Sequence, residues 1–252
     1  MGLKALGLAF LLLLAGLTNV VSAQPSAVTP PTTVAAASIP PVTTFITPEA
    51  LFKASPLPYW PQSPVAVEVD LQAVLAAQAA RTPADVQEAL IDAARGPVAW
   101  AQDAAGLGST FTEQRYPATT ALLLALHEDM RAVNRAGNLE NGHRVRPSGV
   151  DSRIKSIFTA DLNNSASYPS ARSASSRVWA LLLGDIFNQR RAALLAHADR
   201  TAQLRLVGGA HFPSDIDAGK RVGEAYYAQL QKIPSFQQAL VLTKQEAMPT
   251  NP

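Results

Sequence analysis

The run Pro117-Ala-Thr-Thr-Ala-Leu-Leu-Leu-Ala-Leu-His-Glu-Asp-Met-Arg-Ala-Val133 does most to limit the fold. It opens on a proline suited to a first helical turn, and its apolar residues then persist far longer than a strand runs. The pattern predicts a helix reaching Arg135, with Gly137 as its stop. The same signals recur along the chain. Asp70–Ala80 repeats apolar residues at helical spacing, and Thr82-Pro83-Ala84-Asp85 supplies an N-cap, a first-turn proline and an acid for the helix after it. A further helix is expected from Ser173 to His197, and Ser214-Asp-Ile-Asp217 and Ser235-Phe-Gln-Gln238 have the spacing of capping boxes. With no alternating strand pattern and no internal repeat, the expected fold is an all-α helical bundle.

The N-terminus reads differently. Lys4, an apolar run from Ala5 to Leu17 and then Val21-Ser22-Ala23 resemble a secretory leader cleaved after Ala23. A single-pass anchor is the alternative, but the run is shorter than the ~20 residues a spanning helix needs. The expectation is a periplasmic or secreted protein with no membrane segment in its mature form. Residues 24–65 read as a Pro/Thr-rich arm and lead-in, in which Pro56, Pro58, Pro61 and Pro64 rule out a continuous helix over 51–64 and Tyr59-Trp60 plug onto the domain. Residues 66–252 form the domain. The 252-residue chain is 48% hydrophobic, enough for a sizeable core, and has no cysteine, so packing alone must hold it. A net charge of +2, with basic residues scattered, argues against a nucleic-acid partner. A homo-oligomer is left open.

The chemistry-bearing residues are few. His127 and His197 sit in apolar helical surroundings and read as packing or surface residues, as His143 reads as a surface one. No pair has the HExxH spacing and no cysteine assists, so no metal is expected; the GxSxG elbow of serine hydrolases and the GxxxxGK[ST] and GxGxxG nucleotide patterns are missing too, which removes the commonest ester-hydrolysis and nucleotide readings, and no cofactor is expected. The sequon Asn163-Asn-Ser165 carries no weight. What remains is a set of anion-binding types on three stretches: Arg146 in HRVRP, Ser170 and Arg172 in YPSAR, and Arg205 and His211 in RLVGGAHFPSD. Guanidinium groups match phosphate oxygens by planar charge-assisted hydrogen bonds, and a serine at a helix start can complete such a cradle.

These three stretches resemble the motifs of the class A bacterial acid phosphatases, members of the type 2 phosphatidic acid phosphatase superfamily that also includes the vanadium haloperoxidases. Arg146-Pro147 matches the end of the first motif, Pro169-Ser170 the start of the second, and Arg205, His211 and Asp215 the third at the required spacing. The departures are Leu139 for a lysine, Ala171 and Arg172 for a glycine and a histidine, and Leu204 for a serine.

The resemblance implies a phosphate monoester as substrate, His211 as the nucleophile that forms a phosphohistidine, and Asp215 as its orienting partner. Arg146, Ser170 and Arg205 would bind the phosphate, with Arg172 adding a contact. The histidine that protonates the leaving group in this family is replaced by Arg172, which remains charged. Two outcomes follow: an exported acid phosphatase, weak or altered in activity, or a non-catalytic phosphate- or oxyanion-binding relative. A vanadate-dependent haloperoxidase is a third, though it too would need the missing lysine and histidine.

Overall fold

The structure is a computed structural model that describes residues 44–158 and 165–248. The leader and the first part of the arm therefore lie outside the described residues, as does most of the sequon. Helices account for all the regular structure among the described residues, in agreement with the all-α expectation. They are α1 (Pro48–Ala54), α2 (Pro64–Ala80), α3 (Pro83–Ala94), α4 (Pro97–Ala101), α5 (Pro117–Glu140), α6 (Pro147–Val150), α7 (Ala171–Ile186), a 3-10 turn at Asn188–Arg190, α8 (Arg191–Val207), α9 (Pro213–Leu230) and α10 (Pro234–Ala247). None is long and apolar enough to cross a membrane.

Among the described residues every α-helix but α7 and α8 begins on a proline, whose fixed φ and missing N–H suit a first turn. The α3 start is the capping box read from the sequence, with Thr82 and Asp85 satisfying each other's backbone N–H. The other two expected boxes fail. Ser214 lies inside α9, where Phe212 N–H donates to Asp215 Oδ2 at 2.8 Å, and Ser235 lies inside α10 behind Ile233.

Predicted boundaries also move, and α2 already begins at Pro64, capped by Ser63, ahead of the Asp70 where its apolar spacing was read. Helix α5 runs through Gly137 to Glu140, because a Cβ at 137 would come within 3.3–3.4 Å of Phe52, Leu57 and Pro169, and glycine lets these groups close in. The expected helix from Ser173 to His197 starts earlier and breaks at Phe187, dividing into α7 and α8.

Helix α7 is the centre of the bundle, packed by α9, α8 and α5. Its small face of Ser173, Ala174 and Ser176 is buried. Opposite it, Gly219 and Gly223 stand one turn apart on α9, where a Cβ would come within 2.3 Å of Ser170 O and 2.6 Å of Ala174 O. Backbone therefore meets backbone. The crossing brings the starts of α7 and α9 together, with Ser170 N–H donating to Asp215 O at 2.9 Å.

The lead-in is part of the packing: Ile46, Leu51 and Phe52 are buried in the main core. Trp60 docks, its Nε1–H donating to Asn141 O at 3.1 Å, whereas Tyr59 points outward, 69% exposed.

Candidate functional site

The start of α9, the end of α8 and the turn before α6 converge on His211. Arg205 is in the last turn of α8, Arg146 caps α6, and Gly209, at φ +72°, turns the chain between α8 and α9. That turn places His211 two residues before α9, 4% exposed.

His211 Nδ1 lies 2.8 Å from Ser167 O, an acceptor only, so Nδ1 carries the proton and Nε2 the lone pair. Burial pushes its pKa down to about 4, reinforced by the charges of Arg146 and Arg205 and opposed by Asp215. The ring is therefore neutral over most of the pH range. Arg146 Nη1 donates to Nε2 at 3.1 Å.

Asp215 lies one helical turn from His211, its Oδ2 3.6 Å from Nδ1, beyond hydrogen-bond length. Its own oxygens are taken by Arg144 Nη1 (2.6 Å), Ser167 Oγ (2.6 Å) and Phe212 N–H (2.8 Å). Ser167 thus links acid and base, its carbonyl accepting from His211 while its hydroxyl donates to Asp215. Arg144 is held in turn by Asp70 Oδ2 at 2.7 Å and stacked between Phe212 and Trp60, 4.0 and 5.1 Å from the ring centres. Sequence reasoning missed Ser167, Arg144 and Asp70. In HRVRP the valine is 52% exposed and the arginines on either side are buried, an inversion of the usual burial order that the sequence does not announce.

The three arginines differ in what they still have to give. Arg146 is 7% exposed, and its nitrogens donate to Ser165 O, Ser165 Oγ, Ala166 O and Ala210 O as well as to His211. Arg205 is 4% exposed, lies against Phe158 at 3.9 Å, and has Nε and Nη1 buried without a partner among the described residues. Burial holds its pKa down to about 10, with the positive charges of Arg172 and Arg146 adding to the effect. A buried guanidinium with idle donors among like charges calls for an anion.

Arg172 does not join the cradle as expected. Its Nε and Nη2 grip the Asp92 carboxylate at 3.2 and 3.1 Å, Nη2 also meets Asp92 O, and Nη1 donates to Arg95 O at 2.8 Å. The side chain ties α7 to the end of α3, and only its charge reaches Arg205. Ser170, fully buried, is the N-cap of α7; its Oγ accepts from Ser173 Oγ at 2.9 Å, which leaves its own proton to give.

Over 85 residues the chain is 39% identical to a non-specific acid phosphatase of Salmonella typhi and 38% identical to one of Salmonella typhimurium, in both cases across 34% of either chain. Both of these relatives carry the name non-specific acid phosphatase. Over 158 residues it is 31% identical to a non-specific acid phosphatase of Providencia stuartii, covering 62% of this chain and 63% of that one. The chain thus spans about a third of the Salmonella relatives and under two thirds of the Providencia one. No family model matches it.

The other histidines sit where the sequence reading put them. His197 is stacked on Trp100 at 4.3 Å between ring centres, His127 packs beside Trp179, and His143 is exposed. The described residues contain no cluster able to hold a metal ion.

Proposed function

We propose that this chain is an exported acid phosphatase, similar to the type 2 phosphatidic acid phosphatase superfamily, which hydrolyses phosphate monoesters through a phosphohistidine at His211. The carrying observation is Arg205, buried, with two nitrogens unpaired, in a site shared with Arg146 and a neutral histidine. The similarity to acid phosphatases supports the same reading.

In the reaction, phosphate oxygens accept from Arg205, from the Ser170 hydroxyl and from Arg146, which gives up its contact with Nε2. The freed lone pair attacks phosphorus; the P–Nε2 bond forms as the bond to the ester oxygen breaks. The leaving oxygen takes its proton from solvent water, since Arg172 is fastened to Asp92 and cannot serve as an acid. Water then attacks phosphorus and releases phosphate, restoring neutral His211. Ser167 O holds the Nδ1 proton throughout, and Asp215 stabilises the positive charge that develops on the ring.

A positioned acid contributes ~10² to 10⁴ in rate. An aryl leaving group needs it least, so 4-nitrophenyl phosphate should be turned over well ahead of hexyl phosphate, and His211→Ala should abolish turnover of both. Phosphate that binds without hydrolysis of either ester would move the assignment to the second reading, a non-catalytic oxyanion-binding protein, which the clamped Arg172 favours.

A further inference from the structure

Helices α5 and α7 border an open cleft of about 560 Å³, within the size range of small-molecule sites. At one end its wall includes Ser165, Ala171 and Arg172. Ser165 Oγ accepts from Arg146 Nη2 at 2.8 Å, and Arg146 touches His211 Nε2, so this end adjoins the phosphate site through a single side chain.

The rest of the lining is polar in a particular way. His127, Asn134, Asn138 and Trp179 each have a buried polar atom with no hydrogen-bond partner among the described residues: Nδ1, Oδ1, Oδ1 and Nε1. Buried polar groups are normally satisfied, and four exceptions around one cleft point to a ligand or water that completes them. Both acceptors and a donor are represented. Hydroxyl groups answer both, because each donates and accepts, whereas an alkyl chain answers neither. On the rim stand Arg131 and Arg135. Arg131 is loosely paired with Glu128 at 3.4 Å, and Arg135 makes no ion pair among the described residues, so the mouth favours a negative ligand.

We infer that this cleft receives the leaving group of the ester, and that the leaving group it selects is hydroxyl-rich and itself carries a phosphate, as the sugar phosphate released from a sugar bisphosphate does. The inference rests on the phosphatase reading for the position of the scissile phosphate, but the cleft can be tested by binding alone.

Calorimetry on the full chain with His211→Asn, which cannot form the phosphohistidine, would compare inorganic phosphate, hexyl phosphate, fructose 6-phosphate and fructose 1,6-bisphosphate. Affinity should rise in that order from hexyl phosphate to the bisphosphate. Arg135→Ala should weaken the bisphosphate about tenfold, the equivalent of one charge-assisted contact, and leave inorganic phosphate unchanged. Asn138→Leu should weaken both sugar esters and spare hexyl phosphate. Equal affinity for the three esters, or an Arg135→Ala effect equal on all ligands, would mean that water alone completes the cleft and would overturn the inference while leaving the phosphate site intact. Bisphosphate binding that depends on Arg135, with no binding of inorganic phosphate, would keep the cleft and remove the phosphatase reading instead.

Discussion

At His211 the chain keeps an imidazole uncharged by burying it beside two guanidinium groups, and that choice has a pH signature. Its folded pKa of about 4 lies below the ordinary 6.5, so between these values the unfolded chain binds the extra proton and the folded one does not. Stability of the ligand-free protein should therefore be full above pH 6.5 and fall as the pH drops towards 4; urea titrations on His211→Asn should show this dependence flattened. As the proposed nucleophile, His211 would follow the same curve, so hydrolysis of 4-nitrophenyl phosphate should acquire its acid limb near pH 4. Arg144 makes a different prediction. It is 4% exposed between two carboxylates, and Arg144→Met strands Asp70 and Asp215 as uncompensated charges, a loss of about 3–5 kcal/mol by urea unfolding. The sequence made Arg205 and His211 visible because they fall in a recognisable spacing, but a lone arginine reads alike whether it waits for an anion or clamps a helix. Arg172 was misjudged for that reason: its partner, Asp92, is eighty residues away in sequence and only the fold brings them together.

Among the elements, the α7–α9 crossing is the contact on which the site's geometry depends. Gly219→Ala would drive a methyl into the Ser170 carbonyl, and overpacking of this kind costs about 1–3 kcal/mol. Because Ser170 also belongs to the proposed phosphate cradle, the same variant should weaken phosphate binding in calorimetry, whereas an alanine at the open position Gly96, the N-cap of α4, should leave phosphate binding unchanged. A second long-range device closes the start of α5, where Glu246 of α10 accepts from Ala118 N–H at 2.7 Å and from Thr119 N–H at 2.9 Å. Glu246→Ala should lower stability by about 1 kcal/mol, the usual loss for a cap, without touching the site. The longer helices were legible, since apolar spacing and first-turn prolines are local signals, but the short α1, α4 and α6 were not, and α1 lies in the stretch read as an arm. Boundaries were less legible. The break at Phe187 has no proline to announce it; instead Arg191 packs so close to Gly184 that a Cβ there would come within 2.9 Å of its Cγ. Gly137 looked like a stop but serves as a docking groove for Phe52, Leu57 and Pro169.

For the molecule as a whole, the core does not begin where the helical pattern does. Ile46, Leu51 and Phe52 are buried ahead of α2, and burying such side chains contributes about 1.5–3 kcal/mol each, so a chain begun at Ser63 should unfold in urea with a loss of order 5 kcal/mol. The proline-rich lead-in concealed this contribution because its punctuation speaks only of backbone and says nothing of where Phe52 lands. The unpaired Arg205 has a consequence for how the protein is handled. An anion that binds only the folded state raises its stability by RT ln(1 + [L]/Kd), about 2.7 kcal/mol at a hundredfold excess over Kd. The melting temperature should thus depend on the buffer chosen, higher in phosphate than in a zwitterionic amine of equal ionic strength. In Arg205→Ala that difference should disappear, so that two laboratories using different buffers would disagree about the unmodified protein and agree about the variant.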